Sequence, residues 1–572
     1  MPSTTAAESL APGSGEPVRP APAAPRPWRD RVGDLRSGAR LLLGLPRFLR
    51  RPAQAHAARA VIAERLRTRD AVFLELVRRT IYAAPRSPYA TLLRIAGCEW
   101  SDLARLVRQE GLEGALRALY RAGVFLRSDE AKGRQPVVRG SVSFTVAPGA
   151  LRNPLLTTHF RMHTGGSAGA PATIPIDLAT IRDRAVNRQI LLEARSGLGA
   201  TYVEWGVPGS QTLFTVLEYA CAGLPVRHWL LKVDPGSPDL HPAYRWSLQL
   251  TQAASLLAGR PLARPEYVPA DQALVVARRL AAVCAAGETA WYNGTVSSGV
   301  AIAAAAEAAG LDLRGARFAT GSEPMTPARQ AAVRRAGISV VVGFGTTETS
   351  RIGYGCLDES TVNEVHVLGD LNAVIQPGPA SPAPAADRGP GLPPRALLLT
   401  PVSPTAPLVA LNLSLGDQAQ LDQRDCGCPY QRTGWTTHLR DIESFEKLKA
   451  GGMTFLDTDV IRILEADLPA RFGGGPTDYQ LLEEDGVDGR PRVVLVVRPE
   501  LGPLDPGAVT AWFLERLGRG SGAERIMALT WQQSGILEVA RRAPEITAAG
   551  KVLPVLRVRG RRAGGDGRGE PI

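Results

Sequence analysis

Apolar residues recur at helical spacing through the first quarter of the chain. Between Ala58 and Val124 they return every three or four positions, as in residues 102–111, and this predicts amphipathic helices. Residues 1–30 are rich in Pro, Ala, Ser and Gly and are predicted to be disordered. Residues 31–140 are predicted to form a helical N-terminal region. For residues 31–50 we prefer a helix packed on the domain, and the alternative is a basic helix on a membrane or partner surface.

From residue 174 onward, strand and helix patterns alternate. Strands are predicted at Thr289–Tyr292, Arg317–Thr320, Ile338–Phe344, Ala396–Pro401 and Leu408–Leu413, and helices at Thr212–Ala222, Val296–Gly310 and Thr326–Ala336. Such alternation is typical of α/β proteins with largely parallel sheets. We therefore predict a large multi-sheet α/β domain over residues 141–445.

The pattern changes again after Gly451 and Gly452. Helices are predicted at Asp457–Leu468 and Asp505–Leu517, and strands at Asp478–Glu483 and Arg492–Val497. These elements predict a small α+β domain over residues 446–558, followed by a basic tail at residues 559–572.

Composition narrows the choice of partners and compartment. The net charge of +12 comes with arginine spread along the whole chain, without a helix-turn-helix, zinc-finger array or RNA-binding signature, so we predict no nucleic-acid partner. Six cysteines in 572 residues and no secretory signal favour a reduced, cytoplasmic setting. No apolar run reaches the length of a membrane span, so no transmembrane segment is predicted.

A loop of small residues is the first candidate for chemistry. It contains Thr164, Gly165, Gly166, Ser167 and Gly169, which leave little side-chain bulk. Backbone N–H groups and hydroxyls in such a loop can close around phosphate oxygens. The Gly-Lys-Ser/Thr ending of a P-loop is absent, and a flexible surface loop is the alternative.

Four further motifs follow in the chain, three of them at the end of a predicted strand or directly after one. They are Gly321-Ser322-Glu323-Pro324, Gly343-Phe344-Gly345-Thr346-Thr347-Glu348, Leu415-Gly416-Asp417 and Gly550-Lys551-Val552. In an open α/β sheet, ligands bind outside the carboxyl ends of the strands. A carboxylate there can hold Mg²⁺ beside phosphate oxygens, and an aromatic ring can stack on a base. An aspartate after a strand can accept both hydroxyls of a ribose.

This ordered set resembles the adenylate-forming enzymes, which include acyl-CoA synthetases, adenylation domains and luciferase. Within them it is most similar to the phenylacetate–CoA ligase branch and to the acyl-protein synthetases of bacterial luminescence. The resemblance covers about residues 140 to 558. Two departures stand out: Ala170 occupies the position of the family's loop lysine, and the family's hinge motif is not visible around Arg440 and Asp441.

The resemblance implies ATP-dependent activation of a carboxylic acid as an acyl-adenylate, with Mg²⁺ as cofactor. The acyl group would pass to coenzyme A, or alternatively to a carrier-protein or enzyme thiol; a non-catalytic nucleotide-binding protein is the third hypothesis. A homodimer is also implied as an option for this branch. The implied catalytic residues are Lys551, carried by a C-terminal lid, and Glu348, which would hold Mg²⁺. The implied nucleotide-binding residues are Thr164, Gly165, Gly166, Ser167, Gly169, Gly321, Ser322, Glu323, Phe344, Gly345, Thr346, Thr347 and Asp417.

Two further expectations concern metal and substrate. Cys356, His366, Cys426 and Cys428 suit a closed tetrahedral zinc site of structural type, as in some phenylacetate–CoA ligase relatives; the alternative is three reduced cysteines and a surface histidine. The acid pocket is expected between His228 and Trp246 and between Trp291 and Ser298. The aromatic residues in these two segments (Trp229, Tyr244, Trp246, Trp291 and Tyr292) would suit an aromatic or bulky acid.

Overall fold

The structure of the protein is a computed structural model. This structure describes residues 28–163, 173–236, 242–378, 392–444, 449–450, 453–454, 458–485, 491–519, 528, 531–532, 537–547 and 550–558.

Helices dominate the N-terminal part and cover the sheets. They are α1 (Trp28–Arg50), α2 (Ala55–Val77), α3 (Pro88–Ile95), α4 (Trp100–Arg121), α5 (Ser128–Ala131), α6 (Leu178–Ala194), α7 (Ser210–Cys221), α8 (Pro242–Leu257), α9 (Ala273–Ala285), α10 (Val296–Ala308), α11 (Pro327–Arg335), α12 (Thr458–Arg462), α13 (Leu468–Phe472) and α14 (Pro506–Gly518). Two π-helical turns follow α2 and α12, at Arg78–Tyr82 and Ile463–Asp467. None of the helices in these described ranges is long and apolar enough to cross a bilayer.

The strands, in chain order, belong to several sheets. They are β1 (Leu126–Arg127), β2 (Val137–Arg139), β3 (Val142–Phe144), β4 (Phe160–His163), β5 (Thr173–Ile176), β6 (Thr201–Gly206), β7 (His228–Leu231), β8 (Pro265–Tyr267), β9 (Ala290–Thr295), β10 (Arg317–Gly321), β11 (Ser339–Thr346), β12 (Ser350–Gly355), β13 (Val365–Val367), β14 (Asn372–Ile375), β15 (Leu398–Pro401), β16 (Leu413–Ser414), β17 (Asp417–Gln423), β18 (Thr437–Ser444), β19 (Lys449–Ala450), β20 (Met453–Thr454), β21 (Tyr479–Asp485), β22 (Pro491–Val497), β23 (Leu537–Arg541) and β24 (Val555–Val558).

One ten-stranded sheet organises the large α/β region. Its order is β17-β18-β13-β12-β11-β10-β9-β6-β7-β8, parallel from β11 to β8 and antiparallel from β11 to β17. The predicted α/β class is therefore confirmed, although the sheet is mixed, with six strands in its parallel half. Gly321 at the end of β10 pairs with Gly343 of β11, so the carboxyl ends of these two strands meet at one edge.

The N-terminal helices share one hydrophobic core with the large sheet. Leu45 of α1 and Ile62 of α2 are fully buried in the cluster that also contains Tyr202 of β6. Helix α1 begins at Trp28, three residues before the predicted start of ordered structure. It packs against α6, α7 and α8, as the preferred interpretation of residues 31–50 required.

One predicted strand is wrong. Of Leu408–Leu413, only Leu413 lies in a strand, β16, although all six residues are buried. Asn412 has a positive φ of 54°, and its side-chain amide donates to the carbonyl oxygens of Leu116 (2.8 Å) and Val124 (3.1 Å). The positive φ at Asn412 interrupts an extended strand, and its side chain ties this segment to carbonyl oxygens of helix α4 and of residue 124, so the segment is buried without being extended.

The C-terminal elements have a core of their own. The sheet β23-β22-β21-β24 packs with α14 around buried residues that include Leu464, Leu495 and Phe513. The predicted boundary between residues 445 and 446 lies outside the described residues. Arg440 and Asp441, near the expected hinge, belong to β18, and Asp441 has a positive φ of 52°.

Candidate active site

The ends of β10 and β11 border a cleft of about 790 Å³ that is partly open to solvent. Gly321, Ser322 and Gly343 line it. Ser322 has a φ of 67°, which turns the chain sharply after β10. The next side chain, Glu323, is buried and accepts hydrogen bonds from Ser297 N (2.6 Å) and Ser297 Oγ (2.9 Å), in the first turn of α10. A helix N-terminus stabilises such a carboxylate.

The predicted lysine reaches this cleft. Lys551 Nζ donates to the carbonyl oxygen of Ser322 at 3.0 Å. The next residue, Val552, donates its N–H to Ser297 Oγ at 3.2 Å and accepts from Arg329 Nη2 at 3.1 Å. These contacts hold residues 551–552 against the end of β10, the first turn of α10 and helix α11.

A second lysine, which the sequence analysis missed, lies beside the first. Lys232 Nζ donates to Ser298 Oγ at 2.5 Å and to the carbonyl oxygen of Gly550 at 3.2 Å, and it lies 4.9 Å from the Trp205 ring centre. Burial lowers the pKa of Lys232 to about 8, against the partial compensation of nearby carboxylates. Lys232 thus faces the residue before Lys551 from the wall of the cleft.

The rarity of lysine in the sequence is the signal that could have identified Lys232. The chain has five lysines, at 132, 232, 447, 449 and 551, against 67 basic residues in all. In a chain so poor in lysine, each lysine is a candidate for a position that uses the compact ammonium group rather than a guanidinium group. Lys132, Lys232 and Lys551 all contact residues of the candidate site.

Glu348 lies after β11 at the second predicted motif. Its side chain is 13% exposed, and Oε1 lies 3.9 Å from Lys132 Nζ, so the helical N-terminal region contributes a cation to this site. Thr346 Oγ1 accepts from Thr349 N at 3.0 Å and shapes the turn that carries Glu348. Thr347 is half-buried in this turn.

Phe344 and Gly345 lie at a β-bulge of β11. Phe344 is half-buried and packs against the second hydrophobic core of the large region. At Gly345 a side chain would collide with the carbonyl oxygen of Ser350. A bulge at this point re-aims the strand end, as bulges beside functional sites commonly do.

The other predicted nucleotide-binding residues are Asp417 and those of the phosphate loop. Asp417 is the first residue of β17, in the same sheet as β11 but separated from it by β12, β13 and β18. The predicted phosphate loop, with Thr164, Gly165, Gly166, Ser167 and Gly169, lies outside the described residues. The strands on either side of it, β4 and β5, pair with His163 opposite Thr173.

Both predicted pocket segments line the cleft, through Lys232 of the first and Asn293, Gly294 and Thr295 of the second, but the aromatic residues Trp229, Trp291 and Tyr292 do not. Trp229, Trp291 and Tyr292 are at most 1% exposed and belong to the hydrophobic cores. Trp205 and Tyr354 line the cleft instead. The side chains of Tyr244 and Trp246 lie outside the description.

The four predicted zinc ligands come together at one point. Cys356 follows β12, His366 lies on β13, and Cys426 and Cys428 lie in the turn between β17 and β18. His366 Nε2 is 3.3 Å from Cys356 Sγ, 3.6 Å from Cys426 Sγ and 3.2 Å from Cys428 Sγ. His366 Nδ1 lies 2.6 Å from the carbonyl oxygen of Trp435, which assigns the N–H to Nδ1 and leaves Nε2 as a lone-pair donor facing the sulfurs.

This donor set fits zinc. Three sulfurs and one imidazole nitrogen around a common centre are a usual ligand set for tetrahedral Zn²⁺. A fully ligated site of this kind stabilises a fold rather than binding substrate. It would join β12, β13 and the β17–β18 turn, next to the antiparallel half of the large sheet.

No protein-family model and no curated protein matches the chain. Among solved structures, 2-hydroxyisobutyryl-CoA ligase in complex with 2-HIB-AMP and CoA is similar at 16% identity and a TM-score of 0.41, over 87% of this chain and 90% of that chain. The anthranilate CoA ligase AuaEII in complex with anthranoyl-AMP is similar at 14% identity and a TM-score of 0.39, over 68% of this chain and 65% of that chain. The Bacillus subtilis O-succinylbenzoate coenzyme A synthetase MenE, in complex with ATP and magnesium, is similar at 15% identity and a TM-score of 0.36, over 70% of each chain. These likenesses are weak, and the function argued below depends on the site.

Proposed function

We propose that the protein uses ATP to activate a carboxylic acid as an acyl-adenylate and then transfers the acyl group to a thiol, coenzyme A being the expected acceptor. One observation carries this proposal: Lys551, in the C-terminal part of the chain, reaches Ser322 in the cleft at the carboxyl ends of β10 and β11. A cation at that point suits a reaction between two anions.

The first step joins the acid carboxylate to the α-phosphate of ATP and releases pyrophosphate. Both reactants are negatively charged, so catalysis depends on positioning and on neutralising charge. Lys551 would exchange its hydrogen bond to Ser322 for contacts to the carboxylate and the α-phosphate. Glu348 would hold the Mg²⁺ that shields the phosphates; Lys132, 3.9 Å from Glu348, marks the carboxylate as already facing a cation.

The second step needs the C-terminal segment to leave. Lys551 and Val552 hydrogen-bond to Ser322 and Ser297, and such contacts can be exchanged at modest cost. A thiol could then approach the adenylate from the side that the segment had covered. We expect closure and release of this segment to be catalytic steps.

Two alternatives remain distinct hypotheses. A carrier-protein or enzyme thiol could accept the acyl group in place of coenzyme A. A non-catalytic nucleotide-binding protein is the third, favoured by Ala170 at the family's loop-lysine position. The contact between Lys551 and Ser322 favours catalysis, since a binding protein would not need it.

The test is ATP–pyrophosphate exchange over a panel of aliphatic, aromatic and amino acids. We expect exchange with one class of acid, its loss in Lys551→Ala and a strong reduction in Glu348→Gln. Arg519→Ala, which removes an exposed cation of the same C-terminal part, should leave exchange unchanged. Exchange that survives Lys551→Ala would contradict the assignment, and ATP binding without exchange by any acid would favour the non-catalytic alternative.

We also propose that Cys356, His366, Cys426 and Cys428 hold one structural Zn²⁺. The support is the mutual distances of 3.2–3.6 Å between the imidazole nitrogen and the sulfurs, and the hydrogen bond that fixes the tautomer of His366. The ligands come from segments 60 residues apart or more, so the metal would tie together parts of the sheet that local structure does not join.

A further inference from the structure

Three guanidinium groups line the inner part of the cleft. Arg184 and Arg188 lie one turn apart on α6, and Arg351 lies on β12. The fully buried Glu218 of α7 accepts from Arg184 at 2.8 Å and from Arg188 at 3.1 Å. Both oxygens of this carboxylate are therefore used, and a single negative charge serves two arginines.

Arg351 has no carboxylate within ion-pair distance in the part of the chain that the structure describes. Its Nε is buried without a hydrogen-bond partner, and its guanidinium carbon lies 5.7 Å from the Tyr354 ring centre. Burial and the repulsion of Arg184 and Arg188 lower the pKa of Arg351 to about 10, which still leaves it charged at neutral pH. The cluster therefore carries more positive than negative charge.

A second carboxyl group in the cleft does not neutralise this excess of positive charge. Glu204 of β6 is buried, and Asn293 donates to it at 2.7 Å. Burial raises the pKa of Glu204 to about 8, so this group is mostly neutral at pH 7. Lys232 adds another cation to the same wall.

One of the two glycines at the strand ends makes room for Arg351. A Cβ at Gly343 would collide with Arg351 Nη1, whereas one at Gly321 would collide with the carbonyl oxygen of Gly343. Neither glycine adopts a positive φ, so small size is what these positions require. The strand ends that face the candidate reaction site thus also hold a charged side chain in a fixed place.

Unbalanced buried charge is costly, because each cation loses its hydration without a partner. A ligand with anionic oxygens would remove that cost and would find several N–H donors arranged around it. Arginine favours carboxylates, because its planar fork matches their two oxygens. An apolar tail would instead leave the guanidinium group of Arg351 without an anionic partner.

We propose that the acid bound in this cleft carries a second anionic group, a carboxylate in the simplest case, which Arg184, Arg188 and Arg351 bind. This rests on the proposed function in one respect: the reacting carboxylate would lie beside Lys551. The second group would lie deeper, since Ser322 is exposed whereas Arg188 is only 2% exposed. The substrate class would then be dicarboxylic acids rather than the aromatic acids that the sequence suggested.

The experiment compares matched acids and two variants. Linear dicarboxylic acids of increasing length are tested in ATP–pyrophosphate exchange against the monocarboxylic acids of the same length and the half-amides. Acids with a phosphate or sulfonate tail show which anionic group is preferred. Arg351→Met removes the unpaired cation without disturbing Glu218, and Arg351→Lys keeps the charge. Arg317→Met, on β10 but outside the cleft lining, is the matched control.

We expect kcat/KM for the preferred dianionic acid to exceed that for its half-amide by roughly 100-fold, the usual scale for a desolvated charge pair. Arg351→Met should abolish most of this preference by raising KM, Arg351→Lys should retain part of it, and Arg317→Met should retain all of it. Equal use of dianionic and monoanionic acids by the unaltered protein would overturn the proposal.

A binding measurement separates this proposal from the proposed function. The shift in Tm on adding each acid without ATP reports occupancy of the cleft and does not require adenylation. Stabilisation by dianionic acids, lost in Arg351→Met, would support the anion site even if no exchange occurred. Exchange with monocarboxylic acids and no selective stabilisation by any dianionic acid would leave adenylation in place and exclude the anion site.

Discussion

Arg329 Nε lies 2.8 Å from Glu465 Oε1, and both side chains are only 1% exposed. Arg329 comes from α11, beside the candidate site, and Glu465 comes from the π-helical turn between α12 and α13. Glu323 Oε2 lies 3.7 Å from Arg329 Nη1 on the other side. One buried arginine thus joins the carboxylate behind the cleft to the C-terminal elements, and it also donates to Val552, next to Lys551.

Replacing Arg329 by Met should therefore destabilise the protein strongly. The change leaves two buried carboxylates without a counterion, and breaking a buried ion pair typically costs about 3–5 kcal/mol. Denaturant unfolding monitored by fluorescence measures this cost. Arg335→Met, which removes an exposed cation of the same helix, should change stability by less than about 0.5 kcal/mol. A similar loss in both variants would show that Arg329 has no special role.

The pH dependence of ATP–pyrophosphate exchange should report the protonation state of Lys232. The pKa of Lys232 is about 8, below the usual 10.5, because burial disfavours the charged form more than Glu323 and Glu204 favour it. Below pH 8 the ammonium is present and can hold Gly550 and an anionic ligand; above pH 8 it loses its proton. We expect exchange to fall as pH rises through about 8, and Lys232→Met to show lower activity without this step. The same downward step in the variant would assign it to another group.

The stability of the folded state should rise with pH over the range in which exchange activity falls. Because the folded pKa of Lys232 lies below the unfolded one, charging this lysine penalises the folded state, and the penalty is complete below pH 8. Stability relative to Lys232→Met should therefore increase between about pH 8 and pH 10.5. Urea unfolding of both proteins over this range measures the difference, and a constant difference would contradict the shift in pKa.

The sequence predicted the elements around the site well for physical reasons. The strand now called β11 was predicted to within two residues, because its buried β-branched run has no helical alternative. Helix α11 was predicted to within one residue at each end, since Thr326 caps it through a hydrogen bond to Arg329 N. Leu408–Leu413 failed because apolar composition reports burial, and the side chain of Asn412, which no pattern reveals, fixes the local backbone.

Site residues could be predicted where the residue type alone indicates the chemistry. They could not be predicted where common residue types come together only in the folded chain. The Cys and His residues were predicted as one cluster from their ligand chemistry, and the structure brings them together. Lys132 was missed because it comes from the N-terminal region and meets Glu348 only in the folded chain. The arginine cluster was missed for the same reason: Arg184 and Arg351 look like two of many arginines until α6 and β12 line one cleft.

Glu348→Gln should raise the Mg²⁺ requirement of exchange. The amide keeps the size of the side chain but removes the charge that a divalent cation prefers among oxygen ligands. We expect the Mg²⁺ concentration for half-maximal exchange to increase at least tenfold, with partial recovery of activity at high Mg²⁺. Glu359→Gln, a carboxylate bound to Gln330 and Arg334 outside the site, serves as the control. An unchanged Mg²⁺ titration in Glu348→Gln would remove Glu348 from the metal site.

Loss of the proposed zinc should weaken the fold before it affects chemistry. The protein as purified should contain about one zinc per chain by elemental analysis, because a site with three Cys and one His binds Zn²⁺ through four protein ligands. Cys426→Ser, at the least buried of the three cysteines, should reduce the zinc content and lower Tm, since the β17–β18 turn would lose its link to β13. Cys284→Ser, which lies on α9 away from the cluster, should change neither quantity.

Residual exchange in Cys426→Ser at low temperature, with an unchanged KM for ATP, would agree with a structural metal. Full zinc content in Cys426→Ser, or an unaltered Tm after complete removal of the metal by a chelator, would contradict it.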